Sequence, residues 1–182
     1  DGTMTPTQLI KLCASNGLRV IAISDHDSTE GLDEANQAML EFPRMELIHA
    51  IELSTDVPRA EIHLLGYYVN MQDQSFQTIL SQFRAGRLDR GKEMVERLNE
   101  IGLSITWEQV ETIADGASIG RPHIAAALVD SGYVEYPKDA FDKYIGRNGV
   151  AYVERIRVTP VEAVEILVKN GALPVMAHPT YY

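Results

Sequence analysis

Asp1, His26, Glu52, His63 and His178 are the residues of this sequence whose side chains could hold a metal. Imidazole nitrogens mixed with carboxylate oxygens suit Zn²⁺, Mn²⁺ or Fe²⁺, and a carboxylate can bridge two such ions. Each residue falls near a predicted strand exit or in an adjoining loop. Each also has a plainer reading. A strand-end histidine is often a satisfied polar residue, Glu52 a surface carboxylate, and Asp1 a turn residue. His49 is the contrast, because it lies inside an apolar strand just before Ile51-Glu52, and it is expected to be structural. Asp25 and Asp27 flank His26, where they either fix the imidazole tautomer or cap the turn that follows.

A second group has the chemistry of an anion site. Arg121-Pro122-His123 follow Ser118-Ile119-Gly120 and open a predicted helix. Free N–H groups at a helix start, with an arginine and a histidine beside them, attract phosphate. The alternative is a loop arginine and a helix-capping histidine. Arg84, Arg87 and Arg90 follow one side of a predicted helix and read as a solvated face, from which one could reach into the site.

The elements that must position these groups are legible from punctuation. Thr5-Pro6 reads as an N-cap with proline at the first helical position, and Asn16-Gly17 closes that helix. The apolar run Leu18 to Ser24 is then a strand ending at Asp25-His26-Asp27. Thr159-Pro160, Asn170-Gly171 and the strand Leu173 to Ala177 repeat the pattern, ending at His178-Pro179. Two such αβ units predict a parallel sheet with helical crossovers, whose chemistry collects at the carboxyl ends of strands. Glu46 to Leu53 and Glu61 to Val69 read as two more strands, one carrying Glu52 and the other His63. From Gln74 to Gly149 the pattern turns helical: Gln74 to Ile101, Thr106 to Ala114, Arg121 to Asp130 and Pro137 to Ile145. These helices are expected to form a subdomain, 74–149, inserted into the α/β portion made of 1–73 and 150–182.

Composition narrows the function classes. The chain has 182 residues, 45% of them hydrophobic and 23% charged, which suits one domain with an insertion. Its 16 basic and 26 acidic residues give a formal charge of -10, which argues against an extended nucleic-acid surface. A small anionic substrate remains compatible if cations reverse the sign locally. Cys13 is the single cysteine, so an intrachain disulfide and a thiolate metal cluster are both excluded. No apolar run is long enough to cross a bilayer and nothing resembles a signal peptide, so a cytoplasmic protein is the expectation. Asp1 is not an initiator methionine, and the natural N-terminus is expected to lie upstream. No Walker loop, dinucleotide fingerprint or nucleophile elbow is present.

Taken together, several segments resemble the PHP (polymerase and histidinol phosphatase) family. They are Asp1-Gly2-Thr3, Ser24-Asp25-His26-Asp27-Ser28, Ile51-Glu52-Leu53-Ser54, Glu61-Ile62-His63-Leu64-Leu65-Gly66-Tyr67, Gly120-Arg121-Pro122-His123 and Ala177-His178-Pro179. The likeness runs along the whole chain in order, and is strongest to bacterial stand-alone members acting on nucleotide phosphates and short oligoribonucleotides. It implies a distorted (β/α)₇ barrel with an inserted helical subdomain. It also implies up to three divalent ions, of Mn²⁺, Zn²⁺, Fe²⁺ or Mg²⁺, held by Asp1, His26, Glu52, His63 and His178. Arg121 and His123 would bind substrate phosphate. The implied reaction is hydrolysis of phosphate esters by metal-activated water, carried by His26, Glu52 and His178, with His123 or a histidine outside these residues protonating the leaving group. The substrates would be nucleoside 3′,5′-bisphosphates or short RNA trimmed from its 5′ end.

The chain departs from the family in three places. Ala50 stands where glycine usually precedes Ile-Glu. The His-x-His pair before the aspartate and the Asp-x-His pair beyond the His-Pro are absent, so the barrel is expected to be incomplete at both ends and these 182 residues alone inactive. Two rival readings remain at this point: a metal-dependent amidohydrolase, and a non-catalytic metal-holding module.

Overall fold

The computed structural model describes residues 4–57, 60–116, 118–154 and 158–181. In chain order the elements are α1 (Pro6–Ser15), β1 (Val20–Ile23), α2 (Gly31–Met39), β2 (Glu46–Val57) and β3 (Ala60–Tyr67), followed by α3 (Gln74–Glu100), α4 (Trp107–Ala114), α5 (Arg121–Asp130), α6 (Pro137–Ala140), α7 (Pro160–Asn170) and β4 (Leu173–Met176). The architecture is mixed α/β, with a four-stranded sheet in the order β1-β2-β3-β4. The chain forms two compact units, Gly2–Gln82 with Arg157–Tyr182, and Phe83–Ile156. No helix among the described residues is long and apolar enough to cross a membrane.

The predicted helix ends are present as reciprocal caps. Thr5 accepts the Gln8 N–H at 3.3 Å while the Gln8 side chain accepts the Thr5 N–H at 3.0 Å. Thr159 and Glu162 repeat this at α7, with bonds of 3.2 and 2.8 Å. These caps satisfy N–H groups that a helix start otherwise leaves unpaired.

The sheet differs from the expected parallel one. Only β1 and β2 run parallel, with Ile23 opposite His49, while β2–β3 and β3–β4 are antiparallel. The cause is connection length. Val57 and Ala60 are joined by two residues, too few for the crossover that a parallel pair needs. The hairpin also lengthens β2 past the predicted end at Leu53. Thr55, buried, donates its hydroxyl to the Ile62 carbonyl at 2.6 Å. Glu52 and His63 therefore lie within paired strands, not at exits.

In the unit holding the sheet, α7 packs on β2 and β3 through Ala163 and Leu167, both fully buried. Gly66 permits this approach: a Cβ there would lie 2.3 Å from Leu167 Cδ2. In the other unit, Met94, Leu98, Val110, Ile124, Leu128 and Ile145 belong to one buried cluster.

Candidate metal centre

Glu52 is the hub of the arrangement. Its Oε1 accepts from His63 Nδ1 at 2.8 Å and from His178 Nε2 at 3.2 Å. His26, Glu52 and His63 each offer a donor atom, all within 4.8 Å of one another. The His26 and His63 rings stand edge to face at 5.0 Å, and His63 and His178 do the same at 5.1 Å.

Backbone pairing brings these side chains together from the ends or interiors of four strands. In the β2–β3 register Ser54 faces His63 and Glu52 faces Leu65, so Glu52 and His63 are diagonal neighbours on one face of the hairpin. His26 joins through an isolated parallel bridge to Glu52, just past β1. His178 follows β4, whose exit is fixed by the Ala177 N–H donating to the His63 carbonyl at 2.9 Å. Two of the joining points adopt left-handed backbone: Asp27 at φ 54° and His178 at φ 31°. Non-glycine residues seldom do so, and such positions concentrate at functional sites.

The electrostatics suit a bound cation. Burial pushes the Glu52 carboxyl up, but the bond from His63, the electrostatic influence of His26 and His63 and the bond from His178 together bring it below the usual range. Glu52 is thus ionised at neutral pH, surrounded by imidazoles. Three imidazoles and one carboxylate with convergent donor atoms match the ligand chemistry of Zn²⁺, Mn²⁺ or Fe²⁺. Asp1 lies outside the described residues.

His49 is separate, as expected for a structural residue. Its Nε2 pairs with Asn36 Oδ1 at 2.9 Å, linking β2 to α2. Asp27 has a role that sequence reading did not foresee. Its buried carboxylate accepts the Ser54 N–H at 3.1 Å and the Ser54 hydroxyl at 3.3 Å. A serine two residues past a glutamate gave no signal of this.

The residues expected to form an anion site, Arg121 and His123, belong to the Phe83–Ile156 unit. His123 is buried at the third position of α5, where its Nδ1 accepts the Gly120 N–H at 3.0 Å. An N–H can only donate, so the neutral ring carries its proton on Nε2. Burial and the nearby Arg87 cation hold His123 below the ordinary histidine range. Arg121 stacks over Phe141, 5.6 Å from the ring centroid. Arg87 was read as part of a solvated face, yet its Nη1 would lie 3.3 Å from a Cβ at Gly120. Arg90 donates to the Val153 carbonyl at 2.8 Å and lies over the Tyr152 ring. The i, i+3 spacing showed a shared side but not what covers it.

No family model matches the chain. It is 31% identical to a 5′-3′ exoribonuclease of Haemophilus influenzae, over all of this chain and 66% of that protein. It is equally 31% identical to a 3′,5′-nucleoside bisphosphate phosphatase of Chromobacterium violaceum, over all of this chain and 64% of that protein. Among solved structures, a chain of Bifidobacterium adolescentis assigned as a metal-dependent phosphoesterase superposes with a TM-score of 0.88 at 34% identity, covering 98% of this chain and 63% of that one. An amidohydrolase of Chromobacterium violaceum, solved with sulfate and no metal, gives 0.89 at 30% identity, covering 99% and 63%. The chain thus spans just under two thirds of the length of these proteins. The names fit phosphoesterases of the PHP type.

Proposed function

We propose that the protein is a metal-dependent phosphoesterase of the PHP family, hydrolysing phosphate esters of nucleotides. The observation that carries this reading is the convergence of His26, Glu52, His63 and His178 at the junction of β1, β2, β3 and β4. Relatives named as a nucleoside bisphosphate phosphatase and an exoribonuclease support it. In this reading the sheet is part of a distorted (β/α)₇ barrel formed by 1–73 and 150–182, and 74–149 is the inserted helical subdomain.

The four convergent residues, with Asp1, would hold up to three divalent ions. Ions held there would supply positive charge to phosphoryl oxygens and lower the pKa of water. Arg121 would bind a substrate phosphate as a charged, forked donor. His123, with Nδ1 engaged by Gly120, would offer its Nε2–H to a phosphate oxygen. A ring held neutral by burial is better suited to that than to delivering a proton. The substrate would be a nucleoside 3′,5′-bisphosphate or a short oligoribonucleotide, in keeping with the chain's formal charge of -10.

One neighbour named as an amidohydrolase favours a second reading, in which the same cluster serves amide hydrolysis. Relatives named as a nucleoside bisphosphate phosphatase and an exoribonuclease favour the phosphoesterase. The full-length protein is expected to purify with bound transition metal, to lose turnover of a nucleoside 3′,5′-bisphosphate to a chelator, and to recover it with Mn²⁺. Metal-free protein with chelator-resistant turnover, or a preference for amides over phosphoesters, would count against the proposal.

A further inference from the structure

His26 and Glu52 come from different segments, so their spacing depends on what joins those segments. The backbone join is brief. Asp27 donates its N–H to the Glu52 carbonyl at 3.0 Å, and Glu52 donates to the Asp25 carbonyl, also at 3.0 Å. Immediately beside it the chain bends through left-handed backbone at Asp27. The Asp27 side chain, fully buried, then reaches Ser54 with both oxygens, at 3.1 and 3.3 Å. Ser54 is two residues past Glu52 and opposite His63 in the hairpin register. One carboxylate therefore ties the residue after His26 to the strand position between Glu52 and His63.

We propose that Asp27 is a positioning residue for the metal centre, setting the separation of His26 from Glu52 and His63 by clamping the β1 exit onto Ser54. The proposal rests on reading that cluster as a metal centre. Asp27 acts here through His26 and the backbone, not as a ligand. Shape carries the clamp, not charge. An asparagine could accept the Ser54 N–H through Oδ1 and donate to the Ser54 hydroxyl through Nδ2, and asparagine also tolerates left-handed backbone. Glycine takes that backbone without strain but has no clamp. The loop has a second tie, from Gln77 Nε2 to the buried Thr29 hydroxyl at 2.9 Å, so it remains anchored when the clamp is lost.

The test uses full-length wild type, Asp27→Asn and Asp27→Gly, each stripped of metal and titrated with Mn²⁺ calorimetrically, with metal-free melting measured alongside. Asp27→Asn is expected to bind Mn²⁺ within a few-fold of wild type. Asp27→Gly is expected to bind roughly 10- to 100-fold more weakly, as when groups supporting a ligand are removed. Should Asp27→Gly fail to fold, Ser54→Ala removes one of the two bonds and should show a smaller loss in the same direction. Wild-type affinity in Asp27→Gly, or in Ser54→Ala where that stands in, would overturn the clamp. So would an Asp27→Asn as weak as Asp27→Gly, since charge would then be the cause. No Mn²⁺ binding by wild type would overturn the metal-centre reading itself.

Discussion

Replacing Gly66 by alanine tests how closely α7 must approach the hairpin that carries Glu52 and His63. The added Cβ would sit 2.3 Å from Leu167 Cδ2, and 3.3 Å from both Leu167 Cδ1 and Ile51 Cγ2. Rotating Leu167 is no escape, since both its methyls crowd the position and the residue is fully buried. Strand and helix must therefore part by about 1 Å before ordinary van der Waals contact returns. Overpacking of this kind costs about 1–3 kcal/mol, and for a chain of this size about 2 kcal/mol lowers Tm by about 4–8 °C. Because α7 leads into β4 and His178, the same shift should loosen the site. Misplacement on the order of 1 Å can reduce turnover by about 10²-fold. Thermal melts of wild type, Gly66→Ala, Leu167→Ala and the double variant give the decisive comparison. The double variant should lose less than the sum of the two single losses, because each change relieves the other. Additive losses, or an unchanged Tm in Gly66→Ala, would show that the close approach is not what limits the packing.

Replacing His49 with alanine should leave metal content intact while costing about 1 kcal/mol through the lost bond to Asn36, whereas His26→Ala and His178→Ala should each lower metal content; elemental analysis of the three decides. Arg121→Ala should lower kcat/KM for nucleotide phosphates by an amount equal to about 1.5–3 kcal/mol, with metal content unchanged; wild-type kinetics on every phosphoester would remove Arg121 from the anion site. His123 provides a pH test. Its folded pKa lies below its unfolded value, so its contribution is complete above the unfolded pKa and is lost as pH falls through the folded one. His123→Gln keeps an acceptor for the Gly120 N–H without titrating, so urea unfolding across mildly acidic pH should vary less in that variant than in wild type. An identical pH dependence in the two would mean that His123 does not titrate on unfolding.

What the sequence revealed, and what it hid, follows from range. Thr5-Pro6 and Thr159-Pro160 announce helix starts because a cap is made within a few residues, and Gly171 closes α7 with φ 86° by the same local logic. α5 begins and ends where its punctuation placed it. α2 escaped notice because it starts at a glycine behind Glu30, which makes no side-chain cap, although Leu32, Ala35 and Ala38 form its buried stripe. The predicted strand stops at Leu53 because the polarity of Ser54 to Asp56 hides a pairing partner that lies across the turn. His26, Glu52, His63 and His178 could be nominated by type, but their convergence depends on register. The Asp27–Ser54 and Arg87–Gly120 approaches join distant segments through side chains with no local signature.

The left-handed residues explain why this cluster forms where it does. Asp27 and His178 occupy backbone that costs on the order of 1–3 kcal/mol for a residue with a side chain. An extended continuation of β1 would carry the chain away from the bridge between His26 and Glu52. The bend lets Asp27 pair with the Glu52 carbonyl and Ser54, and those bonds offset its strain. At β4 the Ala177 N–H is held by the His63 carbonyl, and His178 bends immediately afterwards so that Nε2 reaches Glu52. Glycine would relieve the strain at either place, but it has no carboxylate to clamp Ser54 and no imidazole to meet Glu52. Of the four non-glycine residues with positive φ among those described, Asp27 and His178 are the two that meet this cluster through their side chains.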